Sequence, residues 1–176
     1  MYLCRCIGAI VPCLIVEKLR FNMLERTLVL LKPCTMERGL IGEIINRYEK
    51  KGLRIAGMKM MQLDDAILAE HYAHLADKPF FGILRDSMKR TPVVAMCLEG
   101  LDAISVVRKM TGSTNGRNAD LGTIRGDYCM SNQQNIVHAS DSPESAQAEL
   151  NRFFRPEEIF DLGDLNMPRL YALDEI

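Results

Sequence analysis

Short β-rich segments alternate with amphipathic helical segments from Arg26 nearly to the end of the chain, and this alternation limits the fold more than any other feature. Residues 26–32 form a β-rich run that stops at Pro33, which predicts a buried strand. Residues 39–51 carry apolar side chains on one helical face, and Gly52 predicts the end of that helix. The other predicted elements are a strand over residues 53–63, helices over 64–75 and 80–90, a strand over 93–98, a helix over 102–110, a strand over 128–131 and a helix over 142–154. The predicted N-caps of the first, third and fourth of these helices are Asp64 or Asp65, Asp102 and Ser142.

The order of these elements is β-α-β-α-α-β-α-β-α, and the helix pair before the third strand breaks a simple alternation. This order predicts an α/β (α+β) fold, a ferredoxin-like sandwich. In this arrangement the helices pack on one face of a four-stranded antiparallel sheet, and a helical pair is inserted. On the pattern alone, a doubly wound parallel sheet is the alternative.

The first 22 residues differ from the rest of the chain. Residues 7–16 are apolar, but Pro12 interrupts them and they are too short to cross a bilayer. No small-x-small cleavage site follows, which argues against a secretory signal peptide. We interpret residues 1–22 as a disordered or non-native leader and residues 23–176 as one folded domain. A membrane-tethered protein is the alternative, and it depends on the leader alone.

The charge balance argues against strong nucleic-acid binding. The 22 basic and 23 acidic residues give a net charge of -1, without the basic excess that phosphate neutralisation requires.

The six cysteines of the chain include no Cys-x-x-Cys pair, which argues against a structural zinc site. Cys97 and Cys129 lie in apolar contexts typical of a reducing compartment, so we expect a cytoplasmic protein that does not associate with membranes.

A long polar loop over residues 111–126 contains Thr114, Arg117, Thr123 and Arg125. Loops of this length in a compact domain are usually functional or disordered. The chain has neither a Walker A sequence nor a G-x-G-x-x-G turn, so any nucleotide phosphates must be held by side chains. Taken singly, however, each of these arginines is more often a solvated surface residue.

His138 is the strongest single candidate for chemistry, because a neutral imidazole is nucleophilic at cellular pH. The helix that begins near Pro143 could bring Glu149 back to orient the second ring nitrogen. From the local sequence alone, a strand-end histidine bonded only to backbone is the alternative. His71 and His74 share a predicted helix at i, i+3 without acidic or sulfur partners, and we interpret them as surface or packing residues.

The octapeptide NIVHASDS, at residues 135–142, resembles the active-site signature of nucleoside diphosphate kinases. A short signature alone would be weak evidence, but further blocks occur in the family's order over residues 24–161. These blocks are ERTL at 25–28, Lys32-Pro33, RGLIGEI at 38–44, KPFF at 78–81, TIRGD at 123–127 and FRPEE at 154–158. Because the blocks are collinear, the resemblance is specific.

The resemblance implies an enzyme that moves the terminal phosphate of a nucleoside triphosphate, typically ATP, to a nucleoside diphosphate by a ping-pong mechanism. It also implies hexamers or tetramers, and Mg²⁺ held by the nucleotide phosphates without direct protein ligands. His138 would be phosphorylated, and Glu149 and Ser140 would position it. The nucleotide-binding residues that it implies are Lys32 and Asn135 at the ribose hydroxyls, Tyr72, Arg108, Thr114 and Arg125 near the phosphates, and Phe80 stacked on the base with Leu84 across the base pocket.

Two departures from the family pattern lie close to these residues. Cys34-Thr35 stands where the family usually has Asp-Gly, and Ala139 replaces the commoner glycine after the histidine. Alanine would resist a positive φ at that position.

Stacking on Phe80 tolerates any base, which predicts broad nucleotide specificity. A regulatory or nucleic-acid-binding protein that keeps the fold without the catalysis is the remaining alternative.

Overall fold

A four-stranded antiparallel sheet in the order β2-β3-β1-β4 forms the centre of the computed structural model. The structure describes residues 24–163, 167–172 and 174–175, so the predicted leader over residues 1–22 lies outside the described residues. The strands are β1 (Leu24–Leu31), β2 (Arg54–Met61), β3 (Val93–Leu101) and β4 (Val137–Ala139). The predicted ferredoxin-like antiparallel sheet is confirmed, and the parallel alternative is wrong.

The helices connect the strands and flank the sheet. Within the described ranges, none of them has the length and apolarity that a membrane crossing needs. The helices are α1 (Pro33–Glu37), α2 (Ile41–Lys51), α3 (Asp65–His71), α4 (Phe81–Met88), α5 (Ala103–Thr111), α6 (Ile124–Tyr128), α7 (Pro143–Phe153) and α8 (Met167–Leu170), with 3-10 turns at Ala73–Leu75, Gly116–Asn118 and Pro156–Glu158.

Both faces of the sheet are buried, because side chains of β1 alternate between two cores. Val29 and Leu31 belong to a core that includes residues of α2 and α5. Leu28 and Leu30 belong to a second core that includes residues of α3 and α7. The prediction of helices on one face is therefore wrong. Because both faces of β1 are buried, its sequence is a nearly continuous apolar run and does not alternate with polar residues.

The predicted fourth strand over residues 128–131 is also wrong. Tyr128 ends α6, which begins where Thr123 accepts a hydrogen bond from the Gly126 N–H at 3.0 Å. The fourth strand is β4, which contains only three residues and includes His138. Its position beside β1 depends on long-range pairing that local periodicity does not reveal.

Helix ends follow the predicted chemistry at three of four positions. Asp64 caps α3 by accepting a hydrogen bond from the Ile67 N–H at 2.9 Å. Gly52 ends α2 with a φ of 97°, which glycine adopts without strain. Ser142 caps α7 by accepting a hydrogen bond from the Ser145 N–H at 3.1 Å. Asp102 was predicted to cap α5, but its side chain makes no capping hydrogen bond and its φ is 50°.

Candidate active site

His138 is the middle residue of β4 and lines a cavity of about 810 Å³. It lies opposite Leu30 of β1 in the antiparallel register. Because Val137 and Ala139 are buried in one core, strand alternation turns His138 toward the other side of the sheet. Its side chain is 22% exposed, so it is held by the protein and still accessible from the cavity.

Glu149 on α7 holds the imidazole of His138 in place. The Nε2 atom of His138 lies 2.9 Å from Oε1 of Glu149. The other carboxylate oxygen, Oε2, accepts a hydrogen bond from the Ser140 hydroxyl at 2.6 Å. Ser140 is itself fixed to β1, since its Oγ accepts a hydrogen bond from the Leu28 N–H at 3.2 Å. The three side chains predicted to act together therefore form one connected network.

This network determines which ring nitrogen of His138 is free. Burial opposes ionisation of Glu149, but the hydrogen bonds from His138 and Ser140 outweigh it and hold the pKa of the carboxyl below its ordinary value. An ionised carboxylate only accepts hydrogen bonds, so Nε2 carries the ring proton. The lone pair of the ring then lies on Nδ1, which makes Nδ1 the available nucleophile.

His71 on α3 is a member of the site that the sequence analysis missed. It was interpreted as a surface or packing residue, and it packs: its ring centroid lies 4.6 Å from that of His138, at an interplanar angle of 81°. Burial, followed by the proximity of His138, lowers the pKa of His71 to about 3, so this second imidazole is neutral. His74 is exposed. The available signal was the position of His71 beside Tyr72, which the resemblance had placed near the phosphates.

The donor atoms of His71, His138 and Glu149 all lie within 4.8 Å of one another. Two imidazoles and one carboxylate are ligands that suit zinc, whereas magnesium prefers oxygen. Among the described residues, no other three side chains of His, Cys, Asp or Glu come together in this way. The described part of the chain therefore offers magnesium no carboxylate cage of its own.

Lys32, immediately after β1, places a buried cation beside Asn135. Its Nζ donates a hydrogen bond to the side-chain oxygen of Asn135 at 2.6 Å. Burial, followed by the charge of Arg125, lowers the pKa of Lys32 to about 8. The Asn135 amide nitrogen in turn donates to the Thr114 carbonyl at 3.3 Å, which ties this pair to the polar loop after α5.

Arg125 on α6 is buried, although its local sequence suggested a surface position. Its Nε donates to the Asn135 carbonyl at 3.2 Å, and its two terminal nitrogens donate to the carbonyls of Gly112 at 3.0 Å and Val137 at 2.6 Å. Burial, followed by the charge of Arg108, lowers the pKa of Arg125. Arg125 therefore connects the polar loop to β4 while its positive charge lies at the cavity wall.

Several further predicted residues line the cavity. Arg108 on α5 reaches toward β4, with its NH1 3.5 Å from the Ala139 carbonyl. Tyr72 is buried, and among the described residues its hydroxyl has no hydrogen-bond partner. A buried hydroxyl without a protein partner is a donor available to a ligand. Phe80, which is 39% exposed, and Leu84 on α4 supply an apolar section of the wall.

The structure thus brings ten of the eleven predicted residues to the wall of one cavity, and Ser140 lies behind it, bonded to Glu149. Their individual roles toward a nucleotide stay predictions. The ten that line the cavity are Lys32, Tyr72, Phe80, Leu84, Arg108, Thr114, Arg125, Asn135, His138 and Glu149.

The two departures near the site are accommodated. Ala139 is not among the described residues with positive φ, so its side chain causes no backbone strain there. The strained position is instead Ile136, with a φ of 56°, which is unusual for a β-branched residue. The Thr35 hydroxyl donates to the Ile136 carbonyl and helps to hold this conformation. Cys34 is buried, and burial raises the pKa of its thiol, which disfavours a reactive thiolate.

Comparisons with known proteins agree on one family. Residues 25–159 match the family model described as nucleoside diphosphate kinase. A nucleoside diphosphate kinase of Parabacteroides distasonis is 64% identical over 152 residues, covering 86% of this chain and 99% of that protein. One from Methanobrevibacter smithii is 49% identical over 149 residues, covering 85% and 99%. Among solved structures, a halophilic nucleoside diphosphate kinase from Halobacterium salinarum in complex with CDP has a TM-score of 0.82 and 41% identity, covering 84% and 99%.

Proposed function

Because this chain belongs to the nucleoside diphosphate kinase family and transfers phosphate between nucleotides, we propose that His138 carries the phosphoryl group from donor to acceptor. The observation that carries this proposal is the hydrogen bond from His138 Nε2 to Glu149, which leaves Nδ1 unprotonated at the cavity. A nucleophile that is transiently phosphorylated divides the reaction into two similar halves.

In the first half, the Nδ1 lone pair attacks the terminal phosphorus of a nucleoside triphosphate. The N–P bond forms as the bond to the bridging oxygen breaks, and the nucleoside diphosphate leaves with that oxygen. In the second half, a terminal oxygen of another nucleoside diphosphate attacks the same phosphorus and releases Nδ1. Through both steps Glu149 keeps its hydrogen bond to Nε2–H and stabilises the positive charge of the phosphorylated ring.

Positive side chains on the cavity wall supply the charge stabilisation that phosphoryl transfer needs. The loose transition state spreads negative charge over the phosphate oxygens, and fixed cations lower its energy. We assign this role to Arg108 and Arg125, with Tyr72 and Thr114 as further hydrogen-bond donors. Lys32 and Asn135 bind the ribose hydroxyls, and Phe80 and Leu84 enclose the base.

The family uses a divalent metal, and in this chain we propose Mg²⁺. The donor set argues for an ion that arrives with the nucleotide, because the carboxylates that line the described cavity, Glu70, Asp141 and Glu149, do not come together as a group of ligands. When bound between phosphates, the ion would neutralise their charge and keep them aligned. Glu149 would not take part, since both of its oxygens are engaged by His138 and Ser140.

We further propose that the protein is a cytoplasmic homo-oligomer, either a hexamer or a tetramer, whose partners are nucleoside di- and triphosphates. The edge position of β2 supports association, since edge strands offer backbone groups to another chain. On this strand the Ala56 carbonyl already accepts a hydrogen bond from the Phe160 N–H at 2.8 Å. Met58 and Met60 on that strand are 53% and 61% exposed. Large exposed apolar side chains on an edge strand are typical of a surface covered by another chain.

Incubation with ATP labelled at its terminal phosphate is expected to produce a labelled protein whose label is lost in acid and retained in alkali, as for a phosphoramidate. Addition of an unlabelled nucleoside diphosphate should discharge the label as a nucleoside triphosphate. Adding a chelator before ATP is the control for the metal and should suppress labelling. A protein that never labels, or a label stable in acid, would contradict the proposed phosphohistidine.

The buried Lys32 predicts a pH dependence. The pKa of Lys32 is lowered to about 8, so its charge is present below that pH and is lost as the pH rises. We expect kcat/KM for nucleotides to fall above pH ~8, by up to about tenfold per pH unit, because this ratio reports ionisation of the free enzyme. Lys32→Arg should abolish this fall because arginine stays charged. An unchanged profile in that variant would show that another group is responsible.

A further inference from the structure

His71, His138 and Glu149 bring together side-chain atoms that bind transition metals. Oε1 of Glu149 lies 2.9 Å from Nε2 of His138 and 3.8 Å from Nδ1 of His71. The donor atoms of the three residues all lie within 4.8 Å of one another. A tetrahedral ion with bonds of about 2.1 Å holds its ligand atoms about 3.4 Å apart. The longest separation would thus shorten by about 1.4 Å at most, and two side chains can share that movement.

The fold holds these three side chains in place before any metal arrives. The ring of His71 packs edge-on against the rings of His138 and Phe153, with centroids 4.6 Å and 5.1 Å away. The Ser140 hydroxyl donates to Oε2 of Glu149 at 2.6 Å. Ligating carboxylates are usually oriented by an outer hydrogen bond of this kind. Oε1 is therefore the oxygen that Glu149 presents to a metal.

The ligand types indicate which metal the group would bind. Two imidazole nitrogens and one carboxylate oxygen, with a fourth position open, form a common zinc environment. His71, His138 and Glu149 all line the cavity, and the His138 side chain is 22% exposed. An ion could therefore enter from the cavity and keep a water molecule as its fourth ligand. Magnesium would bind poorly here because it prefers oxygen ligands.

Arg152 on α7 places a positive charge beside this group. Its NH1 lies 3.5 Å from Nδ1 of His71, at the long limit of a hydrogen bond. Its Nε lies 2.8 Å from Oε1 of Glu70, which offsets part of the charge. A bound ion would displace the weak contact with His71 and meet the remaining repulsion. We therefore expect reversible binding and not a permanently loaded structural site.

We propose that His71, His138 and Glu149 form a Zn²⁺ site that blocks the nucleophile of His138. The ion would lie between Nε2 of His138 and Oε1 of Glu149 and replace their hydrogen bond. A neutral imidazole that binds zinc through Nε2 carries its single proton on Nδ1, so the proton moves from Nε2 to Nδ1. Nδ1 then has no lone pair with which to attack phosphorus. The inhibition rests on the proposed function, whereas the metal site does not.

The first test is a calorimetric titration of the nucleotide-free full chain with zinc chloride. His71→Asn should weaken zinc binding by about tenfold or more, since loss of even an outer partner of a ligand costs about 10- to 100-fold. His74→Asn is the matched control, because His74 is exposed at the same cavity but lies outside the ligand group. It should bind zinc as the wild type does. Zinc held by cysteines in residues 1–22 would be equal in both variants.

The second test measures inhibition by the rate of labelling with ATP and magnesium. Zinc is added first, at a free concentration about nine times the measured Kd, which loads about nine-tenths of the chains. Labelling of the wild-type protein should then slow by about tenfold, because only the zinc-free chains can react. The ratio of the rates with and without zinc should stay near one in His71→Asn. This variant also controls for zinc captured by ATP itself.

Equal zinc affinity in the wild type and in a folded His71→Asn protein would overturn the site. Zinc bound at His71 without slower labelling would overturn the inhibition and leave the proposed function intact. A protein that binds zinc through His71 but never labels would overturn the proposed function and leave the metal site standing. If thermal unfolding shows that His71→Asn does not fold, His138→Gln carries the same titration, since it removes another ring nitrogen from the ligand group.

Discussion

Replacement of His138 by glutamine is expected to abolish phosphoenzyme formation and to lower kcat/KM for phosphate transfer by roughly 10⁴-fold or more. The variant loses Nδ1, the atom that would form the N–P bond. Its amide can still donate to Glu149, so the fold around β4 should be retained. Labelling with ATP measures phosphoenzyme formation, a coupled assay measures kcat/KM for phosphate transfer, and thermal unfolding measures whether the fold is retained.

His74→Gln provides the matched control for this substitution. His74 is exposed at the wall of the same cavity and has no assigned part in the transfer, so this variant should still label. A His138→Gln protein that folds and labels normally would show that another residue is the nucleophile. Loss of labelling in both variants would indicate that the substitutions act through stability and not through Nδ1.

The core of the fold could be predicted because its pattern is strong and local. The β-rich run in β1 and the apolar face of α2 both predict their elements from periodicity. β4 could not be predicted in the same way, since three residues are too few to establish a period. Residues 128–131 looked like a strand by composition, but the Thr123 cap and the close packing of Gly126 against the Asp120 carbonyl favour α6.

The candidate site was predictable through family resemblance more than through local chemistry. The local sequence of His138 favoured a structural role over a catalytic one, and its partnership with Glu149 depends on α7 folding back across the sheet. His71 was missed because it packs against His138 on β4 and Phe153 on α7, and these contacts are tertiary. Arg125 likewise appeared solvated, because its three carbonyl partners come from two segments of the chain that its local sequence does not reveal, residue 112 and residues 135–137.

Replacement of Arg125 by methionine is expected to lower the free energy of unfolding by about 3 kcal/mol, measured by urea denaturation at 25 °C. Three carbonyls would lose a charged donor, and methionine can replace none of those hydrogen bonds. Removing a buried charge offsets part of the loss, because burial already disfavours the charged form of Arg125. The net effect should still be large, since the lost bonds join the polar loop to the residues on both sides of Ile136.

Two further variants test whether the loss of stability comes from the lost hydrogen bonds of Arg125, and not from its charge or from any substitution in this loop. Arg125→Lys keeps a positive charge, but a single ammonium group cannot reproduce the planar fork, so we expect an intermediate loss of stability. Arg117→Met is the control on the same loop: Arg117 is exposed and donates to one carbonyl, that of Met130. It should change the unfolding free energy by no more than about 0.5 kcal/mol.

If Arg125→Met unfolded at the same urea concentration as the wild type, the prediction would be contradicted, and the Arg125 guanidinium would act on phosphate alone. Its contacts with the backbone would then contribute nothing measurable to the shape of the site.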